Sequence, residues 1–241
     1  MTHHLGRVLA VLALAVIPIV PGIPVISGVP GIPGTPSVLA QPAFAAAAEV
    51  AQLEDAISII PTEDENRAGY HPSSFRHWNK GRDIADGCAT REEVLIAEAV
   101  EAPEVGAGCK LTGGRWVSYY DEQSVTKLAS LEVDHVVPLA EAWGSGASAW
   151  TAQRREAFAN DQGAPGTLAA VTVRSKREKA DQDLTGWLPA APSQQCRYIG
   201  DWVATKLRWG LTTDKAELEV LKLFADGPCE TIVIYYTRVP E

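Results

Sequence analysis

The run Leu131-Glu132-Val133-Asp134-His135-Val136-Val137-Pro138-Leu139 constrains this chain more than any other stretch. Its apolar, β-branched residues favour a strand, and Pro138 stops it. An acid and a histidine therefore stand side by side near a strand's end. The chain carries five histidines, and two of them, His3 and His4, lie at the extreme N-terminus. Asp134-His135 is thus the first place to look for chemistry, because a carboxylate holds hard cations and an imidazole takes a proton near neutral pH. Adjacent residues on a regular strand point to opposite faces, so both serve one site only where the strand twists or ends.

The first 45 residues differ from the rest. Arg7 precedes an apolar run over residues 8–20, a Pro/Gly-rich stretch follows over 21–36, and Ala43-Phe44-Ala45-Ala46 supplies small residues. This pattern reads as a secretory leader cleaved near Ala45, the alternative being an uncleaved N-terminal anchor. The apolar run is too short and too interrupted by proline for a comfortable membrane span. The expectation is a secreted, extracellular monomer with no stable membrane association once the leader is removed. The four cysteines, Cys88, Cys109, Cys196 and Cys229, all follow the leader. An even count outside the cytoplasm suggests disulfides, and of the three pairings Cys88–Cys109 with Cys196–Cys229 staples neighbouring segments. A zinc site has little support, since no C-x-x-C occurs and no histidine stands at ligand spacing.

Arg7 is the only charged side chain before Glu49. The chain's net charge is −9, so the remainder carries −10. That balance argues against indiscriminate binding to phosphate polymers, and any nucleic-acid contact needs a local basic patch. One exists: between Thr151 and Lys179 stand Arg154, Arg155, Arg174, Lys176, Arg177 and Lys179 against Glu156, Asp161 and Glu178.

Residues 46–69 read as a flexible lead-in with a helical patch over 50–60, and 70–86 as a polar loop. Thr90 caps a helix, with Glu93 completing a capping box. Residues 113–120, 131–137 and 168–173 read as strands. Ser148 opens a helix through Phe158 with Arg154 and Arg155 outward, and Ser175 opens another with Glu178 in its capping box. Residues 194–209 form an amphipathic helix with Ile199, Trp202, Val203 and Leu207 on its apolar side, ended by Gly210. A last helix spans 213–225, and 231–236 is β-prone. The fold class is α+β, a single domain over 70–241, small in sheet and rich in helix.

The order strand, Asp134-His135, strand, then a helix from Ser175 resembles the ββα-metal finger of HNH nucleases. The wider chain resembles a secreted bacterial HNH endonuclease family of the GmrSD-like C-terminal type. The matching stretches are GCATREEVL at 87–95, VDHVVPLAEAW at 133–143, SGA at 145–147, FAND at 158–161 and KADQD at 179–183. The resemblance spans roughly residues 70–225 and implies an HNH ββα-metal core embedded in the helical domain. It also implies hydrolysis of a nucleic-acid phosphodiester, DNA ahead of RNA, with one divalent cation, Mg²⁺ or Mn²⁺. In that reading His135 is the general base, Asp134 the metal ligand, and Lys176, Arg177, Lys179 and Arg174 meet phosphate.

One departure stands out. The helix of this family brings an Asn that supports the metal, and here the matching residue is Lys176. The usual Gly after the helix's lysine is Ala180. An ammonium has no acceptor and cannot ligate a cation. Two readings follow. With Ser175 as cap, Lys176 falls in the first helical turn, suited to a docked phosphate and to the charge of a phosphorane. Alternatively the scaffold persists as a catalytically weakened or inactive secreted binding protein. A metalloprotease is disfavoured because no H-E-x-x-H occurs.

Overall fold

The computed structural model describes residues 47–79 and 81–240, so the leader and its cleavage site near Ala45 lie outside the described residues. In chain order its elements are β1 (Glu49–Gln52), α1 (Leu53–Ser58), α2 (Thr90–Ala97), β2 (Glu104–Gly106), β3 (Lys110–Thr112), β4 (Trp116–Val117), β5 (Ser124–Val125) and β6 (Leu131–His135). There follow α3 (Leu139–Gly144), α4 (Ala152–Ala159), β7 (Leu168–Thr172), α5 (Val173–Lys179), α6 (Pro192–Trp209), α7 (Lys215–Ala225) and β8 (Val233–Tyr236). The strands form four separate antiparallel pairs, β1–β8, β2–β3, β4–β5 and β6–β7. Helices and short strand pairs thus build one α+β domain.

The β6–β7 pair divides the interior. Its register sets Val133 opposite Ala170, Asp134 opposite Ala169 and His135 opposite Leu168. The two-residue period sends Leu131, Val133, Leu168 and Ala170 into one apolar cluster with Leu95 and Trp116. Ala169 and Val171 point the other way, into a larger cluster with Ile57, Ile199, Val203 and Leu221. The connection between β6 and β7 carries α3 and α4, and α5 follows β7 at once to pack on the pair.

The longest helix, α6, forms because its apolar residues recur at helical spacing. Tyr198, Trp202 and Lys206 make one buried row, and Ile199, Val203 and Leu207 the next. Pro192 occupies its first turn, and Gly210 ends it with φ +68°, a left-handed conformation that costs glycine little. The Lys206 ammonium is fully buried between Glu141 of α3 and Glu217 of α7, 2.7 Å from each. This network ties α3, α6 and α7 together.

Several expectations change in detail. The lead-in is not loose: β1 pairs with β8 from Glu49↔Tyr236 to Gln52↔Val233, and Leu53, Ala56 and Ile57 of α1 are buried. Apolar residues at 53, 56 and 57 face α6 and α7, so the segment belongs to the core. Thr90 is not a cap: the Glu93 carboxylate accepts instead from the backbone N–H groups of Arg82 and Asp83, which ties down the preceding loop. Thr151, rather than Ser148, caps α4, and Arg154 and Arg155 turn back over Trp150 and Trp143 instead of facing outward. Thr172, rather than Ser175, caps α5, its hydroxyl accepting from Ser175 N at 3.1 Å.

Both expected disulfides are present. Cys88–Cys109 joins the approach to α2 with the β2–β3 hairpin, and Cys196–Cys229 joins α6 to the segment before β8. No helix among the described residues is long and apolar enough to cross a membrane. Replacing Cys196 and Cys229 together with Ala should cost about 3 kcal/mol, read as a lowered denaturation midpoint, because the bridge closes a long loop in the unfolded chain. An unchanged midpoint would show that α7 and β8 are held by packing alone.

Candidate active site

β6 ends at His135, where Val136, Val137 and Pro138 carry the chain into α3. The ending lets Asp134 and His135 line one cleft of about 260 Å³, with Tyr70, His77, Trp78, Lys176, Ala180 and Asp181 on its walls. A larger cavity of about 660 Å³, beside Glu98, Tyr119 and Arg197, contains none of the residues of this strand end.

Asp134 is buried, and its Oδ2 is fully committed. The Lys179 ammonium lies 2.7 Å away and the Tyr120 hydroxyl donates to it at 2.8 Å. Oδ1 accepts no hydrogen bond among the described residues. Lys179 has no exposed surface, and its Nζ also donates to the His135 carbonyl at 2.8 Å. Burial pulls this ammonium below its ordinary value while Asp134 pulls it back up. Lys179 is therefore a structural cation and cannot reach phosphate, which corrects the sequence expectation. The cause is spacing: Lys176 and Lys179, three apart on α5, reach down to the carbonyls of Val133 and His135, two apart on β6.

His135 is held by one decisive bond. Its Nε2 stands 2.8 Å from the Ala159 carbonyl at the end of α4. A carbonyl can only accept, so Nε2 carries the hydrogen and Nδ1 keeps a lone pair. Burial pushes the imidazole down to about 4, helped by nearby His77 and Lys176 and opposed by the Ala159 bond and Asp134. Trp78 lies on the ring, centroids 5.2 Å apart and planes at 21°, and His77 meets it edge-on at 5.8 Å. Trp78 takes φ +55°, unusual for a bulky side chain, in placing its indole there.

Lys176 is the fourth residue of α5 and half-exposed. Its Nζ donates to Val133 O at 2.8 Å and to Glu132 Oε2 at 3.3 Å, 5.9 Å from the Trp78 ring centre. It does not sit at a free helix N-terminus, because the cap is Thr172. Arg174 and Arg177 leave the cleft and flank a separate depression with Ala129 and Ser130, where Arg174 pairs with Glu178. The basic patch seen in sequence is therefore divided among three environments. Sequence reasoning missed His77 and Trp78, placed in a loop dismissed as polar. A histidine next to a tryptophan in such a loop was the available signal, as only three histidines follow the leader.

Comparison of the sequence with known proteins finds a family and a relative. Residues 107–222 match the family described as GmrSD restriction endonucleases, C-terminal domain. A fungal protein of Arthroderma benhamiae, described as an uncharacterized secreted protein, is 34% identical over 180 residues, covering 75% of this chain and 85% of its own length. The chain belongs to this family. No solved structure matches it. The GmrSD C-terminal family is HNH nuclease-like, and the β6–β7–α5 unit is its ββα core. The relative is fungal, whereas the sequence resemblance pointed to bacterial nucleases.

HNH nucleases in general work with a divalent cation. The donors of this member do not fit one at Asp134. Lys176, at the position where the sequence resemblance expects an Asn, has no acceptor to offer, Lys179 already neutralises the Asp134 carboxylate, and Glu132 pairs with Lys176. Among the described residues, the three acids whose ligand atoms converge are Glu65, Glu141 and Asp183, and Glu141 is spent on Lys206 and Arg67. Ala180, where the sequence resemblance expects Gly, ends α5 at φ +48°.

Two stability outcomes follow. Lys179→Met should cost about 3 kcal/mol or more by stranding Asp134, whereas Lys176→Ala should cost under about 1 kcal/mol because its ion pair is half-exposed. Ala180→Gly should stabilise by about 1 kcal/mol by relieving a left-handed backbone. Urea denaturation of the three variants checks this ordering.

Proposed function

We propose that this protein hydrolyses phosphodiester bonds of nucleic acid outside the cell, with His135 as general base. The observation that carries the reading is the Nε2–H bond from His135 to Ala159 O. It fixes the tautomer that leaves Nδ1 as the proton acceptor of a ring that lines the cleft, and burial keeps the ring neutral at working pH. A neutral imidazole with a free nitrogen on a cleft wall is what activation of water requires. Asp134, clamped by Lys179 and Tyr120, holds the strand end in place. Lys176 is the charge best placed to meet the non-bridging oxygens of the substrate phosphate. Arg174 and Arg177 are too far round α5 to share that phosphate and serve at most a neighbouring one.

The family, the two disulfides and the likeness to a fungal protein described as secreted support action on extracellular nucleic acid, with DNA the first substrate to test. Mg²⁺ and Mn²⁺ are the ions the family resemblance names, and the hydrolysis proposed here is routed through side chains alone.

The test is cleavage of supercoiled plasmid and of single-stranded RNA by the purified chain, in Mg²⁺, in Mn²⁺ and in chelator, beside His135→Ala. The wild type should exceed the variant by on the order of 100-fold or more in at least one condition. Equal rates in all conditions would contradict the proposal. Its rate should also hold as pH falls below the usual histidine range and drop only near pH 4, where His135 takes up its proton. A drop centred at pH 6–7 would show that another group is the base.

A further inference from the structure

The loop before α2 brings a second imidazole to the cleft, and no part of the family resemblance assigns it a role. His77 Nδ1 stands 2.9 Å from the Phe75 carbonyl. Because that oxygen only accepts, Nδ1 carries the hydrogen and Nε2 is the nitrogen left for a ligand. The ring is exposed at the cleft's rim, so a substrate can reach it. It stands 5.8 Å from His135, its plane turned 87°. The two rings are thus pinned by backbone carbonyls in opposite senses: His135 offers Nδ1 and His77 offers Nε2. Lys176 lines the same cleft.

Base, acid and ammonium are the three groups that phosphodiester cleavage needs when no cation is held. Resting on the hydrolase reading above, we propose that His77 is the catalytic acid, and that His77 and Lys176 together replace the divalent cation. Water attacks phosphorus as its proton passes to His135 Nδ1. The phosphorus–oxygen bond to the departing sugar breaks, and that oxygen takes the proton from the protonated His77 at Nε2. Lys176 faces the charge that builds on the non-bridging oxygens. One water is consumed, and the two imidazoles regain their starting protonation through solvent. A metal would supply the same two services, charge neutralisation and stabilisation of the leaving oxygen.

The experiment uses the full purified chain, a DNA and an RNA oligonucleotide, and bis(p-nitrophenyl) phosphate, all in excess EDTA. The nitrophenolate departs without a proton, so it isolates the acid's contribution. Wild type should cleave the oligonucleotides in EDTA at a rate within about threefold of that in Mg²⁺, and His77→Ala should lower this by on the order of 100-fold. The same variant should lose under about threefold on the nitrophenyl ester, whereas His135→Ala should lose on the order of 100-fold on both substrates. His77→Asn should behave as His77→Ala, and circular dichroism of both should match wild type, since the ring is exposed. Wild-type cleavage that vanishes in EDTA and returns with Mg²⁺ or Mn²⁺ would overturn the inference while leaving the hydrolase reading intact. A His77→Ala loss equal on both substrates, or absent on both, would also overturn it. No hydrolysis of any substrate with or without metal would overturn the hydrolase reading itself.

Discussion

An ammonium with no exposed surface has to be neutralised where it lies, and Lys179 meets that demand with Asp134 at 2.7 Å. The pair does more than cancel charge. The same Nζ holds the His135 carbonyl, and the same carboxylate oxygen takes the Tyr120 hydroxyl. α5, the end of β6 and the aromatic wall of the main core therefore meet at one point. Removing either charge leaves the other buried without a partner, a far larger penalty than losing a surface ion pair. The position and direction of His135 follow from this joint, since the next residue along the strand is fixed by its own carbonyl on one side and by Ala159 on the other.

The electrostatics of the cleft then follow from the helix sequence. The Lys176 ammonium of α5 lines the cleft beside His135, a cation fixed to the protein. A covalently held cation needs no capture from solution, but it is monovalent, and its field is weaker than that of a bound divalent ion. On the proposed reading the leaving group takes its proton from the protein, and His77 stands at the rim with Nδ1 held by the Phe75 carbonyl.

Much of this fold is legible in the sequence. The strand ending at Asp134-His135, the long amphipathic α6 with its Gly210 stop, and both cysteine pairs are written in local pattern. What failed did so for tertiary reasons. Lys179 looked like a surface cation because local sequence does not reveal that its own helix packs on the β6–β7 pair and turns it under Asp134 and the His135 carbonyl. Thr90 and Ser175 had the composition of caps, but Glu93 and Thr172 found better partners. Residues 49–58 looked like a loose lead-in, yet their strand partner is 187 residues away at Tyr236, and such a pairing has no local signature. His77 and Trp78 escaped notice because their meaning lies wholly in the ring they face.

Nitrogen-15 NMR of the imidazoles reads the protonation pattern of His135 directly. His135 as the base is expected to show a neutral ring at pH 7 with a hydrogen on Nε2 and a bare Nδ1, persisting until the pH falls to about 4. Two protonated nitrogens at pH 7, or a bare Nε2, would contradict it, because no base would then face the cleft.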